Sequence, residues 1–470
     1  MKILFISSEV VPFAKTGGLA DVASALPKAI KAIGHDIRIL MPRYKCVSSN
    51  AMSARLAAKR AGRQELRVGD LPVYFFEDEH FSKRDELYVK NGQDYPDNCE
   101  AFLAFCQSVE AFLKRIDWQP DIIHCNDWQT ALVCLFIKEL RKSDPSFKRC
   151  ATVFSIHNLA YQGNFPREKF ASTGLPQTLE FYDQLSFIKA GLLYADVVNT
   201  VSEAYAQEIK TKEYGCGLEK ELKKRSQDLY GILNGLDYDV WNPAKDPLIK
   251  RRYSAGTISL RGENKLELQR VNNLPQDKNI PLLGIVSRLA DQKGFDLLEE
   301  VMEEILALGC QFVLLGTGEP KYHKFFETLK KKYPRQAGIN LGFNSALAQQ
   351  IYAGSDIFLM PSQYEPCGLG QLISFKYGAI PIVRKTGGLA DTVHDFEPKT
   401  GQGDGFVFKE YGSSALLGAI EKALETYKNK VMWQQMQQRV MQYNYSWDAS
   451  AKKYIGLYMK ALAKIGIEAL

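Results

Sequence analysis

From one end of the chain to the other, short runs of β-branched and aromatic residues alternate with amphipathic stretches of helical length. Parallel sheets with crossover helices require that order, and it predicts an α/β fold throughout. In the first half the predicted strands are 2–6, 36–40, 72–76, 121–124, 152–156, 196–200 and 231–233. In the second half they are 281–286, 311–315, 356–360, 380–383 and 405–408. Several are almost wholly apolar, as strands covered on both faces must be. Between the two sets, residues 234–256 carry Asn242-Pro243, Asp246-Pro247 and a charged stretch, show neither period, and read as an interdomain connection. Two doubly wound domains follow. The segment from about Trp447 onward is helical by the spacing of Tyr454, Leu457, Tyr458, Ala461, Leu462 and Ile465, but periodicity alone assigns it to neither domain.

Length and composition agree with that division. The chain has 470 residues, and at roughly 100 to 200 residues per domain it needs more than one core. With 46% hydrophobic and 24% charged residues it is an ordinary globular sequence, which excludes wholesale disorder and fibrous repeats. A net charge of +6 is small for this length, and clusters such as Lys223-Lys224-Arg225 and Lys330-Lys331-Lys332 read as solvated helix faces, so no nucleic-acid partner is expected. Nine scattered cysteines without a C-x-x-C pair argue against a disulfide framework or a zinc site. No apolar run approaches the roughly 18 residues that cross a bilayer, and Lys2–Ile6 is too short for a signal segment and runs into Ser7-Ser8-Glu9. A reduced, cytoplasmic protein without a membrane partner is the expectation.

Lys15-Thr16-Gly17-Gly18-Leu19-Ala20-Asp21 recurs letter for letter as Lys385-Thr386-Gly387-Gly388-Leu389-Ala390-Asp391. Each copy lies between a predicted strand and a predicted helix. The glycine pair admits a ligand to the backbone, and the helix start offers N–H groups and a positive dipole end, so two anion-seeking turns, one per domain, are expected. A tight turn alone explains Gly-Gly, but it does not call for the same lysine, threonine and aspartate twice.

Further candidates stand at predicted strand ends, where open α/β sheets bind ligands. After strand 281–286 come Arg288 and Lys293, a guanidinium fork and a mobile ammonium suited to a diphosphate and to the charge on a departing phosphate without a metal. Gly316-Thr317-Gly318-Glu319 adds a glycine turn after another strand. Glu365 sits in the Pro- and Gly-restrained loop Pro361–Gly370 and suits sugar hydroxyls or positive charge on a sugar carbon. In the first half Asp127-Trp128 and His157-Asn158 follow neighbouring strands, directional polar groups beside an aromatic face, as a polyhydroxylated ligand wants. No G-x-G-x-x-G follows the first strand, and neither G-x-x-x-x-G-K-[ST] nor H-E-x-x-H occurs; Asp237-Tyr238-Asp239 is a D-x-D that reads as a turn.

Taken in order, these residues resemble the bacterial glycogen synthases and plant starch synthases, retaining glucosyltransferases of the GT-B fold. The resemblance rests on KTGGLADV at 15–22, GHDIRILMPRY at 34–44, YPDN at 95–98, HCNDW at 124–128, IHNLAYQG at 156–163 and NTVS at 199–202. It continues through GILNGLD at 231–237, SRLADQKG at 287–294, GTGE at 316–319, PSQYEPCGLGQ at 361–371 and PIVRKTGGLADTV at 381–393. It implies two Rossmann-like domains, 1–240 for the acceptor glucan and part of the donor site and 241–450 for the nucleotide sugar, facing across a deep cleft. A C-terminal helix, 451–470, would pack back on the first. It further implies glucose transfer from ADP-glucose to the non-reducing end of an α-1,4-glucan, with no metal or cofactor.

Carried over by that resemblance, Lys15, Gly17, Gly18, Arg288, Lys293, Gly318, Thr386, Gly387 and Gly388 would bind the donor. Tyr95, Asp127, Trp128, His157, Asn158, Asn234 and Glu365 would bind glucose and acceptor, with Glu365, His157, Arg288 and Lys293 catalytic. Retention by double displacement calls for two carboxyls about 5 Å apart. No second carboxylate is evident near Glu365, so front-face displacement is the expected route, with the leaving phosphate taking the acceptor's proton. The E-x7-E pattern of wider GT-B enzymes is missing, since Ile373 stands eight residues after Glu365. Base choice, ADP or UDP, therefore rests on the resemblance alone. A non-catalytic glucan binder or a glucan phosphorylase, which needs a pyridoxal-phosphate lysine, remain the other readings.

Overall fold

All the predicted strands form, with ends that shift by a residue or two. The structure, a computed structural model, describes residues 1–50, 65–90 and 93–467. It divides into two units, Met1–Gly235 with Trp447–Leu470, and Leu236–Ser446, so the boundaries expected near 240 and 450 fall slightly earlier.

The first unit carries strands β1 (Lys2–Ile6), β2 (Asp36–Pro42), β3 (Glu65–Val68), β4 (Leu71–Phe76), β5 (Ile122–Asn126), β6 (Ala151–Ile156), β7 (Val197–Thr200) and β8 (Leu229–Gly231). They form one sheet in the order β8-β7-β6-β5-β1-β2-β4-β3, parallel except for β3 against β4. Helices α1 (Gly18–Ala32), α2 (Asn98–Ile116) and α3 (Leu132–Ser143) join the packing of this unit. In the second unit β9 (Leu282–Val286), β10 (Gln311–Gly316), β11 (Ala337–Leu341), β12 (Ile357–Met360), β13 (Ile380–Arg384) and β14 (Phe406–Phe408) run parallel in the order β11-β10-β9-β12-β13-β14. That is the doubly wound order of nucleotide-binding sheets. Within these two sheets, the strands that the sequence did not announce are at edges: β3 is a short, charged Glu-Leu-Arg-Val, and β11 reads Ala-Gly-Ile-Asn-Leu, poor in strand formers.

The segment expected to be a connection is instead packed into the second unit. Leu236, Ile249 and Tyr253 are buried in one of its cores, and Tyr377 donates to Asp246 Oδ2 at 2.6 Å. The D-x-D is a turn, closed by the Asp239 N–H on Asp237 Oδ1 at 2.8 Å. The terminal helix, α4 (Trp447–Lys464), belongs to the first unit and buries Tyr454, Leu457, Tyr458, Ala461 and Leu462 in its core. Its tyrosines reach polar groups inside the sheet: Tyr458 OH pairs with His124 Nδ1 at 2.8 Å, and Tyr454 OH with the Asn199 amide at 3.1 Å. No helix among the described residues is long and apolar enough to cross a membrane.

Each of these two sheets has one place where the strand order reverses, the position at whose carboxyl ends open α/β sheets take ligands. In the first unit it lies between β1 and β5, flanked by the loops that carry Glu9 to Gly17 and Asp127. In the second it lies between β9 and β12, flanked by the loops that carry Arg288, Lys293 and Glu365.

Candidate active site

At the first crevice a carboxylate already occupies the turn before α1. Glu9, 2% exposed, accepts from the Thr16 backbone N–H and, at 2.9 Å, from Thr16 Oγ1, which lies 2.6 Å from Tyr88 OH. Burial raises the Glu9 carboxyl, opposed by the amides of Thr16 and Gly17. The expectation of N–H groups left open for an external anion is corrected here: two of them serve Glu9. Lys15 Nζ meets both oxygens of Asp21 at 2.8 Å in the first turn of α1. Gly18 has open space where a side chain would stand.

Asp127 follows β5 with φ 55° and ψ −178°, a conformation that costs a non-glycine residue about 1–3 kcal/mol and tends to mark functional sites. Its carboxylate takes the His157 N–H at 2.7 Å and the Asn158 N–H. Burial nevertheless pushes its carboxyl up to about 7, with Glu9 adding to the shift. His157, directly after β6, has Nε2 at 2.9 Å from Asn126 Oδ1, and burial pushes its imidazole down to about 4. It is neutral near pH 7. Asn158 Oδ1 accepts from the Ala160 N–H. Tyr95 lies under the Arg84 guanidinium, 4.5 Å from its ring centroid. Asn234 is buried, and its Oδ1 has no hydrogen-bond partner among the described residues.

Trp128 departs from expectation. It is 7% exposed and packed edge-on against Phe102 and Phe165, and a Cβ on Gly163 would lie 2.3 Å from its ring. The indole is a wall of the core under the Asp127 turn, not an open face for a sugar.

At the second crevice Lys293 Nζ holds Glu365 Oε2 at 2.6 Å, and Ser362 Oγ donates to the same oxygen at 3.1 Å. Glu365 is buried, whereas Arg288 is exposed, with Nη2 at 3.3 Å from Gln292 Oε1. Arg288, Lys293, Ser362, Glu365 and Gly368 share a cavity of about 260 Å³. The two loops are fastened together: Gln363 N–H donates to Gln292 O, and Gly294 (φ 75°) passes so close to Pro361 that a Cβ would meet its carbonyl at 2.1 Å.

Three of the predicted donor-binding glycines also have a packing reason. A Cβ on Gly387 would stand 2.0 Å from Glu365 O, and one on Gly388 would stand 1.9 Å from Cys367 O. The Gly388 N–H donates to Glu365 O at 3.0 Å, and the Thr386 N–H to Arg384 O. In this copy of the repeat the glycines let the chain press against the Glu365 loop and hold it. Gly318 is similar: its N–H goes to His323 Nε2 at 3.1 Å, and Leu289 O fills the space of a side chain. Glu9, Asp21, Tyr88, Asn126 and Ser362 were not among the predicted site residues. Glu9 stood in plain sight after β1, but a lone carboxylate carries no motif. Nor was Phe343, 92% exposed in the loop after β11, where Gly342 N–H donates to Gly316 O beside the glycine turn.

Comparison with known proteins agrees with this geometry. The family described as starch synthase catalytic domain matches residues 2–224, and glycosyl transferases group 1 matches residues 264–445. Glycogen synthase 2 of Geobacter sulfurreducens is 47% identical, covering 98% of this chain and 99% of its own. The chain belongs to the glycogen and starch synthase family. Another member, the glycogen synthase of Thermotoga maritima, is 44% identical over 99% of this chain and 100% of its own. The catalytic domain of starch synthase IV from Arabidopsis thaliana, solved with ADP and acarbose, superimposes with a TM-score of 0.84 at 32% identity, covering 98% of this chain and 99% of that one. Sucrose-phosphate synthase from Thermosynechococcus elongatus shares the fold at a TM-score of 0.62 and 18% identity. This member of the glycogen and starch synthase family is thus a GT-B glycosyltransferase with two Rossmann-like units.

Proposed function

We propose that the chain is a glycogen synthase that transfers glucose from ADP-glucose to the non-reducing end of an α-1,4-glucan with retention at the anomeric carbon. The observation that carries the reading is the second crevice, where two cations and a buried carboxylate converge on one cavity at a strand-order reversal. Arg288 is exposed and offers its fork to the diphosphate, while Lys293 adds a point charge. Both stabilise the negative charge that grows as the bond to the sugar breaks. Phe343 offers its exposed ring to the base. The starch synthase solved with ADP supports ADP as the nucleotide, and the relatives that are glycogen synthases support glycogen as the product.

Glu365 is poorly placed to attack. Oε2 is already held by Lys293 and Ser362, and that arrangement suits a carboxylate that stabilises positive charge on the sugar. Front-face displacement follows: the acceptor's 4-hydroxyl adds to the anomeric carbon as the ADP phosphate leaves, and a phosphate oxygen takes the hydroxyl proton. In the first unit, neutral His157 bonds a donor hydroxyl, while Asp127 and Asn158 order the sugars. Two side-chain cations carry the diphosphate charge, so a chelator is expected to leave turnover unchanged.

The test is release of nucleoside diphosphate from ADP-glucose and UDP-glucose, with and without glycogen, for wild type and Glu365→Ala. Glycogen-dependent ADP release that collapses in the variant supports the reading. Preference for UDP-glucose overturns the donor, and no release from either overturns the enzyme.

A further inference from the structure

The orientation of one buried amide decides what His157 can offer a ligand. Asn126 ends β5 and is wholly buried. Its Nδ2 donates to Ile6 O at 2.9 Å and faces His124 O at 3.5 Å, both backbone carbonyls that can only accept. The amide therefore cannot turn over, and its Oδ1 must face His157 Nε2, 2.9 Å away. A carbonyl oxygen accepts only, so Nε2 must bear the proton. In a neutral imidazole the other nitrogen, Nδ1, is then a bare acceptor. No hydrogen bond to Nδ1 is formed among the described residues.

We infer that Asn126 is a positioning residue that fixes His157 as the Nε2–H tautomer, so that Nδ1 is presented as an acceptor for a hydroxyl of the bound sugar. The inference rests on the reading that His157 faces the sugar. It explains why a short polar residue ends β5, a strand buried along its whole length: the amide joins β1, through Ile6, to the residue after β6. The titratable groups around His157 leave this state alone. Asp127 spends its carboxylate on the His157 and Asn158 backbone amides, Glu9 acts on Asp127, and His124 on β5 is held neutral by burial and by repulsion from His157, with its two nitrogens taken by Tyr458 and Ser155. An imidazolium would turn Nδ1 into a donor and reject the hydroxyl's proton.

The direct test reads nitrogen-15 shifts of the imidazoles in the intact wild-type protein, assigning His157 by its loss in His157→Gln; the chain has only six histidines. A protonated Nε2 and a bare Nδ1 are expected, and the reverse overturns the inference. Asn126→Leu removes the oriented carbonyl; His157 should then show a mixture of tautomers, and kcat/KM should fall roughly tenfold, about the loss of one hydrogen bond. An unchanged tautomer in that variant overturns the inference.

Asn126→Asp supplies a reading that a merely structural role would not move. A carboxylate facing Nε2 favours the imidazolium, so activity should be low at neutral pH and recover as pH rises and Nδ1 loses its proton, a limb that belongs to His157 and is separate from the Asp127 titration already present in wild type. A profile that matches wild type overturns the inference. If His157→Gln stays fully active while the tautomer is as stated, the sugar contact fails and the assignment of Asn126 stands.

Discussion

Two ionisable groups that touch through one backbone amide pull the protein's stability in opposite directions. Asp127 titrates near 7 in the folded chain against about 3.9 unfolded, so the native state holds a proton that the unfolded state has lost. Its contribution is present at low pH and is lost as pH rises from about 4 to 7. His157 titrates near 4 against about 6.5 unfolded, so the unfolded state binds the extra proton and stability is lost as pH falls from about 6.5 to 4. Over nearly the same window the two slopes offset each other in wild type. Relative to wild type, Asp127→Asn is therefore expected to gain stability as pH rises across that window, and His157→Gln to gain it as pH falls. Urea midpoints between pH 4 and 7.5 check both signs. At the same scale, Arg288→Ala should lower kcat more than it raises KM for ADP-glucose, by about 10²–10³-fold if the guanidinium acts on the developing phosphate charge. A change confined to KM would make it a ground-state contact only.

The two copies of the seven-residue repeat show what an element-level motif conceals. Their letters are identical, and so is their place between strand and helix, which is why the sequence alone reads both as anion turns. The difference lies in the neighbours. Beside Gly18 the structure is open, whereas Gly388 is pressed on the Cys367 carbonyl. Gly18→Ala is expected to leave folding intact, within about 1 kcal/mol and on the stabilising side, because alanine suits the first turn of α1. Its cost should fall on donor affinity. Gly388→Ala must displace the Glu365 loop and should cost about 1–3 kcal/mol, the range of overpacked buried sites. Thermal melts and donor titrations on both variants separate the two roles; equal destabilisation would remove the distinction.

The same reasoning marks the limit of legibility. Central strands are legible because double burial demands apolar runs, and Arg288, Lys293, Asp127, His157 and Glu365 because they stand just beyond such runs. Edge strands β3 and β11, the burial of Trp128 and the partners of Gly318 depend on which segments meet in space, and a single sequence does not record that.

At the scale of the whole chain, the terminal helix is out of sequence with the unit it completes. The chain leaves the first unit at Gly235, builds the second, and returns at Trp447 to lay α4 on the first sheet. Trp447, Tyr454, Leu457, Tyr458 and Leu462 are buried there, and at about 1.5–3 kcal/mol for each large apolar side chain their loss rivals the 5–15 kcal/mol by which a typical domain is stable. Two internal groups would also be stranded, the His124 ring that meets Tyr458 and the Asn199 amide that meets Tyr454. Each buried polar group left unpaired costs about 1–3 kcal/mol more. The second unit has no such debt, since its cores draw only on residues between Leu236 and Ser446. A fragment of residues 236–446 should therefore unfold cooperatively on its own. A fragment of residues 1–235 should not, until a peptide of residues 447–470 is added. Circular dichroism melts of the two fragments decide it: a cooperative transition in 1–235 without the peptide would show that α4 is an accessory, and its recovery only with the peptide would show that the first unit cannot fold until the last residues of the chain arrive.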